Sequence, residues 1–333
     1  MEQLKKIVQE MTLEEKLGQI FLWSHVDADV EAGVAAMQPG GLVLFAADVA
    51  EMTGDQLREK MARIQSKAKL PLLMCVDEEG GTVVRVSRQP QLRGEKFKSP
   101  MDLRREGGLE LVKQDAEEKC RFLRSFDINV NFAPVADMSD NPEAFIYPRV
   151  YGGDAAETAE YTKEVCAIMS REKVGSSLKH FPGYSDNRDT HKELAVDSRP
   201  LEQFEQVDLV PFQSGIDGGA DSIMVSHTIV ECFDPEQPAS LSPAVHQYIR
   251  EKMGFDGILM TDDMNMQAIV KHCNGEDPCV RALMCGNDML MIQDIASGIQ
   301  RVRGAVEDGR VSMESLDQSV LRVLKWKHKL GLL

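Results

Sequence analysis

Short apolar runs alternate along this chain with longer stretches in which apolar residues return every three or four positions. The runs are IFLW (20–23), GLVLF (41–45), PLLMCVD (71–77), INVNFAPVAD (128–137), SSLKHF (176–181), SIMVSH (222–227), GILMTDD (257–263) and DMLMI (288–292). Runs that are apolar on both faces and separated by helix-length segments mark the strands of a buried parallel sheet. Eight such units predict an α/β fold, a (β/α)₈ TIM-like barrel taking residues 1–333 as a single domain, with the opening helix as a plug or cap. An open doubly wound sheet competes, but the Gly-rich phosphate loop it needs after its first strand is missing. Two helix starts carry their own signals. Thr12-Leu13-Glu14-Glu15 has the form of a capping box, and Ser242-Pro243 offers an N-cap hydroxyl followed by proline at the first helical position. The stretch 138–153 reads as a loop.

Composition narrows the partners. Hydrophobic residues make up 43% of the chain, enough for a large core, and the formal charge of −16 excludes nucleic acid and anionic membranes, both of which need a basic surface. The locally basic LRVLKWKHKL near the C-terminus has helical apolar spacing and reads as a solvated amphipathic helix. No run approaches the roughly 18 apolar residues of a membrane span. The N-terminal MEQLKKIVQEMTLEEK lacks the apolar core of a signal peptide. The cysteines at 75, 120, 166, 232, 273, 279 and 285 form no CxxC pair. An odd, dispersed set points to reduced thiols and a cytoplasmic location. Nothing in the sequence indicates an oligomeric state.

The barrel expectation gives the polar residues a place, because barrel chemistry sits at the C-terminal ends of the strands. Asp77, Asp137, Lys179, His180, His227, Asp262 and Asp263 all fall there. So many ionisable groups from five strands on one rim are better explained as a site than as helix caps. The segment KHFPGYSDNRDTH (179–191) adds a carboxylate two places before an imidazole, Asp189 and His191. Three readings fit these residues. Metal-assisted hydrolysis could use His180, Asp186, Asp189, His191 and His227, but the sequence has neither an early HxH pair nor HExxH. Acetal cleavage would use Asp262, at a rigid strand end, as nucleophile. Histidine, with an ordinary pKa of about 6.5, would then carry the proton, and a carboxylate would orient its ring. The third reading makes the segment a solvated connection, since Asp-x-His pairs are commonly caps or exposed polar loops. His25, after the first strand, could line the pocket but reads rather as part of a surface loop.

Several stretches together resemble the N-acetylglucosaminidase branch of glycoside hydrolase family 3. They are MTLEEKLGQIF, GGLVLF, DEEGGTVVR, NFAPVAD, KHFPG with DTHKE, PASLSPAV, GFDGILMTDDMNM and ALMCGNDML, running in order from about residue 8 to the end of the eighth strand. The resemblance implies a single barrel domain and a retaining double displacement without cofactor or metal. It maps the nucleophile onto Asp262 and the acid/base onto His191, with Asp189 as its partner and Thr190 where relatives have serine. It maps the ligands of a terminal N-acetylglucosamine onto Asp77, Arg85, Arg149 (in PRVYGG), Lys179 and His180. Gly183 and the polar run Tyr184 to Arg188 suggest a loop free to close over substrate. Tyr184, Ser185 and Thr82 depart from the commoner KHFPGHG and EGGRV, which bears on aglycone preference. No second α/β domain is expected after the eighth unit, so the acid/base is expected to come from the barrel's own loop. The implied activity is removal of terminal N-acetylglucosamine from peptidoglycan fragments or short amino-sugar glycosides during recycling. A phosphorylase using the same residues, and a silent sugar-binding paralogue, are the alternatives.

Overall fold

The computed structural model describes residues 1–25, 29–184, 194–265, 267–273 and 275–333. Among the described residues, eight parallel strands form one sheet: β1 (Phe21–Trp23), β2 (Gly41–Leu44), β3 (Leu73–Val76), β4 (Val130–Asn131), β5 (Gly175–Phe181), β6 (Ser222–Val225), β7 (Ile258–Thr261) and β8 (Leu290–Ile292). Each pairs with its neighbour in sequence, and β8 pairs with β1 in the register Phe21↔Leu290 to Trp23↔Ile292. Between β7 and β8 the ladder thins to a parallel bridge, Met260↔Met289, with Thr261 N donating to Met289 O at 3.2 Å. The expected barrel is therefore present and nearly closed.

Strand alternation fills both sides of the wall. Leu22, Val43, Leu73, Cys75, Val130, Met224, Ile258, Met260 and Met291 form one buried cluster within the barrel. Their neighbours Phe21, Trp23, Leu42, Leu44, Met74, Val76, Leu290 and Ile292 pack outward against the helices. This double burial is why the runs read as continuous apolar stretches. Continuing the period-two alternation past the strand ends turns Asp77, two residues after Cys75, and Asp262, two after Met260, towards the mouth.

Strand β4 is far shorter than the run 128–137, because Pro134 has no N–H to donate to a ladder. The chain rejoins the wall just beyond it, with Ala136 N donating to Lys179 O at 2.8 Å. Both expected helix starts are observed. The Thr12 capping box is complete on Leu13–Gln19, and Ser242 Oγ accepts from Val245 N on Pro243–Gln247. The 138–153 loop contains one short 3₁₀ turn, Tyr147–Arg149. A ribbon of Val196–Asp197 against Ile229–Val230 had no clear signal in the sequence.

The C-terminal helix, Met313–Lys329, corrects an expectation. It does not lie free in solvent. Val323 and Trp326 belong to the cluster inside the barrel, and the Trp326 ring sits so close to Gly175, at the start of β5, that a Cβ there would meet Cζ2 at 2.8 Å. Lys327 is completely buried, its Nζ donating to Gln19 Oε1 at 2.6 Å. The basic residues suggested exposure. The apolar face they flank closes the barrel's N-terminal end, carrying one lysine inside with it.

Candidate active site

Strand β5 brings the first pair of polar side chains to the mouth. Its register with β6 shifts, Leu178 facing Ile223 and Phe181 facing Val225, so three positions on β5 span two on β6. Leu178 and Phe181 both pack outward, and the bulge leaves Lys179 and His180 together on the mouth side. The Lys179–His180 peptide bond is cis.

Lys179 reaches over β4 to the residues that follow β3. Its ammonium donates to Asp77 Oδ1 at 2.7 Å and lies 2.5 Å from Glu79 Oε1. Glu79 also receives both sides of the Arg149 guanidinium, Nε to Oε2 at 3.0 Å and Nη2 to Oε1 at 2.8 Å. Burial opposes charge on the Glu79 carboxyl, but Arg149 and Lys179 outweigh it and hold its pKa well below the usual carboxylate range. Burial likewise works against the Arg149 charge, and Glu79 reverses the balance upward.

His180 is gripped on both ring nitrogens. Nδ1 is 2.7 Å from Asp137 Oδ2, and Nε2 is 3.2 Å from Arg149 Nη2. Arginine has donors only, so Nε2 presents its lone pair and Nδ1 carries the hydrogen given to Asp137. An imidazole so engaged orients Arg149 and has no free proton for a leaving group. Asp137 also accepts from the main-chain N of His180 at 3.0 Å and of Tyr184 at 2.8 Å.

The sequence DEEGG carries three acids with three separate tasks. Asp77 faces Lys179 and lies 3.6 Å from Arg85 Nη2. Glu78, fully buried, turns away and accepts from the main-chain N of Arg85, Val86 and Ser87 at 2.9, 2.8 and 3.1 Å, and from the Ser87 hydroxyl. That set fixes the turn carrying Arg85. Glu79 clamps the two cations. The glycines make the reversal possible: Gly80 has φ +114°, and a Cβ there would meet Lys98 O at 2.1 Å. Thr82 stands exposed at the tip of this turn.

Asp262 follows β7, two strands round the wall from Lys179, with its N donating to Val225 O at 3.3 Å. Its Oδ1 accepts from Asp263 N at 2.7 Å. Asp263 has a different occupation. Its Oδ1 accepts from the Asn265 main chain at 2.9 Å and from the Asn265 side chain, and its Oδ2 lies 3.4 Å from Ser24 Oγ. Burial pushes the Asp263 carboxyl up from its ordinary pKa. Asp263 thus ties the turn after β7 to β1 and leaves the mouth to Asp262. His227 supports the same turn, its Nε2 3.3 Å from Asp263 O and its Nδ1 2.7 Å from Ser240 Oγ.

Of the sequence-derived candidates, Asp77, Arg85, Arg149, Lys179 and His180 meet in one network, and Asp262 shares their rim. His191 and Asp189 lie outside the described residues. Gly183, just before them, has φ +122°, and a Cβ there would come within 3.0 Å of Asp208 Oδ1. Tyr184 is buried, with its ring centroid 4.7 Å from that of His180 and 5.5 Å from that of Phe145. His25 is not on the surface but buried against Trp23, 3.4 Å from Asp48. Burial lowers its pKa. Sequence reasoning missed Glu79. Its signal was three acids ending a buried strand before two glycines, a sharp turn that leaves little room to send every carboxylate into water.

The model of the glycosyl hydrolase family 3 N-terminal domain matches residues 12–326. The chain belongs to glycosyl hydrolase family 3. It is accordingly a glycoside hydrolase. A beta-hexosaminidase of Xylella fastidiosa strain M12 is 35% identical over 258 residues, 76% of this chain and 75% of that protein. One from Xanthomonas campestris pv. campestris strain B100 is 31% identical over 275 residues, 79% of this chain and 81% of its relative. The structure of a family 3 beta-N-acetylglucosaminidase from Paenibacillus sp. FPU-7 superposes with a TM-score of 0.90 at 29% identity. That match covers 97% of this chain, which spans 63% of the Paenibacillus enzyme. Among the described residues no helix is long and apolar enough to cross a membrane.

Proposed function

We propose that this family 3 hydrolase is a retaining exo-β-N-acetylglucosaminidase. The observation that carries the proposal is the division of labour at the rim. Asp262 is turned to the mouth at the end of β7, while Asp77 after β3, Arg149 after β4, and Lys179 and His180 on β5 form a fixed, charge-paired bed for a sugar across the rim. The beta-hexosaminidase names of the relatives supply the sugar class.

In this mechanism the Asp262 carboxylate attacks the anomeric carbon as the glycosidic bond breaks. His191, oriented by Asp189, gives its proton to the departing oxygen. The resulting glycosyl ester of Asp262 is cleaved when His191 takes a proton from water, and retention follows from two displacements. Asp77 accepts hydrogen bonds from sugar hydroxyls, while Lys179 and the two arginines donate to them. A sugar lacking the matching hydroxyl leaves these buried groups unpaired, which is the source of epimer selection.

Water as acceptor is favoured over phosphate by the pairing of the cations. Lys179 and Arg149 are engaged with Glu79, and Arg85 faces Asp77. A phosphate would have to compete with carboxylates already in place. The seven cysteines are all free thiols, which supports a reducing compartment, the cytoplasm, with peptidoglycan fragments or short amino-sugar glycosides as substrates.

NMR of the reaction with an aryl β-N-acetylglucosaminide in phosphate buffer tests this. Free β-anomer should appear first, and the Asp262→Ala protein should produce none. First-formed α-anomer, or full activity of that variant, overturns the mechanism. A sugar 1-phosphate product would identify a phosphorylase.

A further inference from the structure

We propose that Glu79 is the positioning residue of this site, acting on the sugar only through Lys179 and Arg149. The proposal rests on the reading of those two cations as sugar ligands and adds what holds them. Lys179 comes from β5 and Arg149 from the loop after β4, so no stretch of backbone fixes one relative to the other. Glu79 does so with a single carboxylate, bidentate to Arg149 and 2.5 Å from the ammonium of Lys179. The residue is 4% exposed. Water therefore does little to screen the two positive charges from each other, and the carboxylate between them is what allows both to approach one ligand.

Glu79 is itself immobilised at both peptide groups. Its N donates to Val83 O at 3.0 Å, and its carbonyl accepts from Lys119 Nζ at 3.0 Å. Lys119 is in turn held by Asp115 at 2.9 Å. Gly80 follows at φ +114° and packs its Cα so close to Lys98 O that a Cβ there would meet it at 2.1 Å, so the reversal after Glu79 needs glycine. On the far side, Arg149 also meets His180 Nε2, and His180 is anchored on Asp137. A chain of fixed groups thus runs from Lys119 through Glu79 and Arg149 to Asp137, with the sugar-facing donors in its middle.

The test is a double-mutant cycle on hydrolysis of an aryl β-N-acetylglucosaminide. Glu79→Gln keeps the shape, removes the charge, and turns an amide donor towards two cations. It should lower kcat/KM by about 10- to 100-fold, the range found when a partner that orients a metal-binding side chain is lost, which sets the scale for an orienting carboxylate. The loss should fall mainly in kcat, because the misplaced donors fail as the ring distorts. In a Lys179→Met background the same change should cost less than in the wild type, since one partner is already gone. Equal fold-losses in both backgrounds would show that Glu79 acts elsewhere and overturn the proposal. If Lys179→Met alone leaves kcat/KM unchanged, the ligand reading of Lys179 is what fails. Should Glu79→Gln not fold, as judged by circular dichroism, Glu79→Asp decides: it keeps the charge on a shorter arm, and unaltered kcat/KM in that variant also overturns the assignment.

Discussion

Replacing Lys327 with methionine should stabilise the protein, and by an amount that depends on pH in a defined direction. The lysine is 0% exposed, and burial pushes its pKa down to about 7, with the Cys75 side chain opposing weakly. In the unfolded chain it titrates near 10.4, so at pH 7 the folded state carries a cost of about 4 kcal/mol, at 1.36 kcal/mol per unit. The variant escapes that cost but strips Gln19 Oε1 of the donor 2.6 Å away. An unsatisfied buried acceptor costs about 1–3 kcal/mol, so the net gain expected at pH 7 is about 2 kcal/mol. The sign of the pH dependence follows from a lowered lysine. Between pH 7 and 10.4 the unfolded chain binds a proton that the folded protein does not, so wild-type stability rises with pH across that window. Below pH 7 both states bind it, and the cost is fully present. The methionine variant has no such slope. Urea denaturation of both proteins at pH 7, 8 and 9 reads the difference directly, and other titrating groups cancel in the subtraction. The variant's advantage should shrink by about 2 kcal/mol from pH 7 to pH 9. A difference that stays constant across those pH values refutes a buried, neutralised lysine.

Two further substitutions probe the turn and the proposed acid/base. Gly80→Ala has to place a Cβ 2.1 Å from Lys98 O at φ +114°, and should lower stability by at least about 2 kcal/mol. An unchanged melting temperature would show that the turn yields. His191→Ala should slow glycosides with alkyl or sugar leaving groups far more than nitrophenyl glycosides, which depart without a proton. Equal losses on the two substrate classes would remove His191 from the proton-donor role.

Much of the candidate site's placement was legible because barrels put chemistry at strand ends. Asp77, Lys179, His180 and Asp262 could be placed from the runs that precede them, and the motifs added Arg85 and Arg149. What each does there was less legible. His180, a candidate sugar ligand, spends both ring nitrogens on Asp137 and Arg149. Asp262 and Asp263 are indistinguishable as letters, yet one faces the mouth and the other ties Asn265 and Ser24. Glu79 went unnoticed because its partners lie 70 and 100 residues further on, at Arg149 and Lys179.

The alternation of apolar positions, by itself, determined the eight strands and the barrel, because burying both faces of a parallel sheet leaves a local imprint on every strand. The tertiary structure alone decided which polar groups are paired and which are buried. Lys327 sits in a basic stretch that reads as solvated, and only the closing of the barrel's end around Trp326 takes its ammonium out of water. Pairing and burial are set by groups distant in sequence meeting in space, and the energy of a charge depends on those neighbours. A run of residues records its own periodicity, but not what will fold against it.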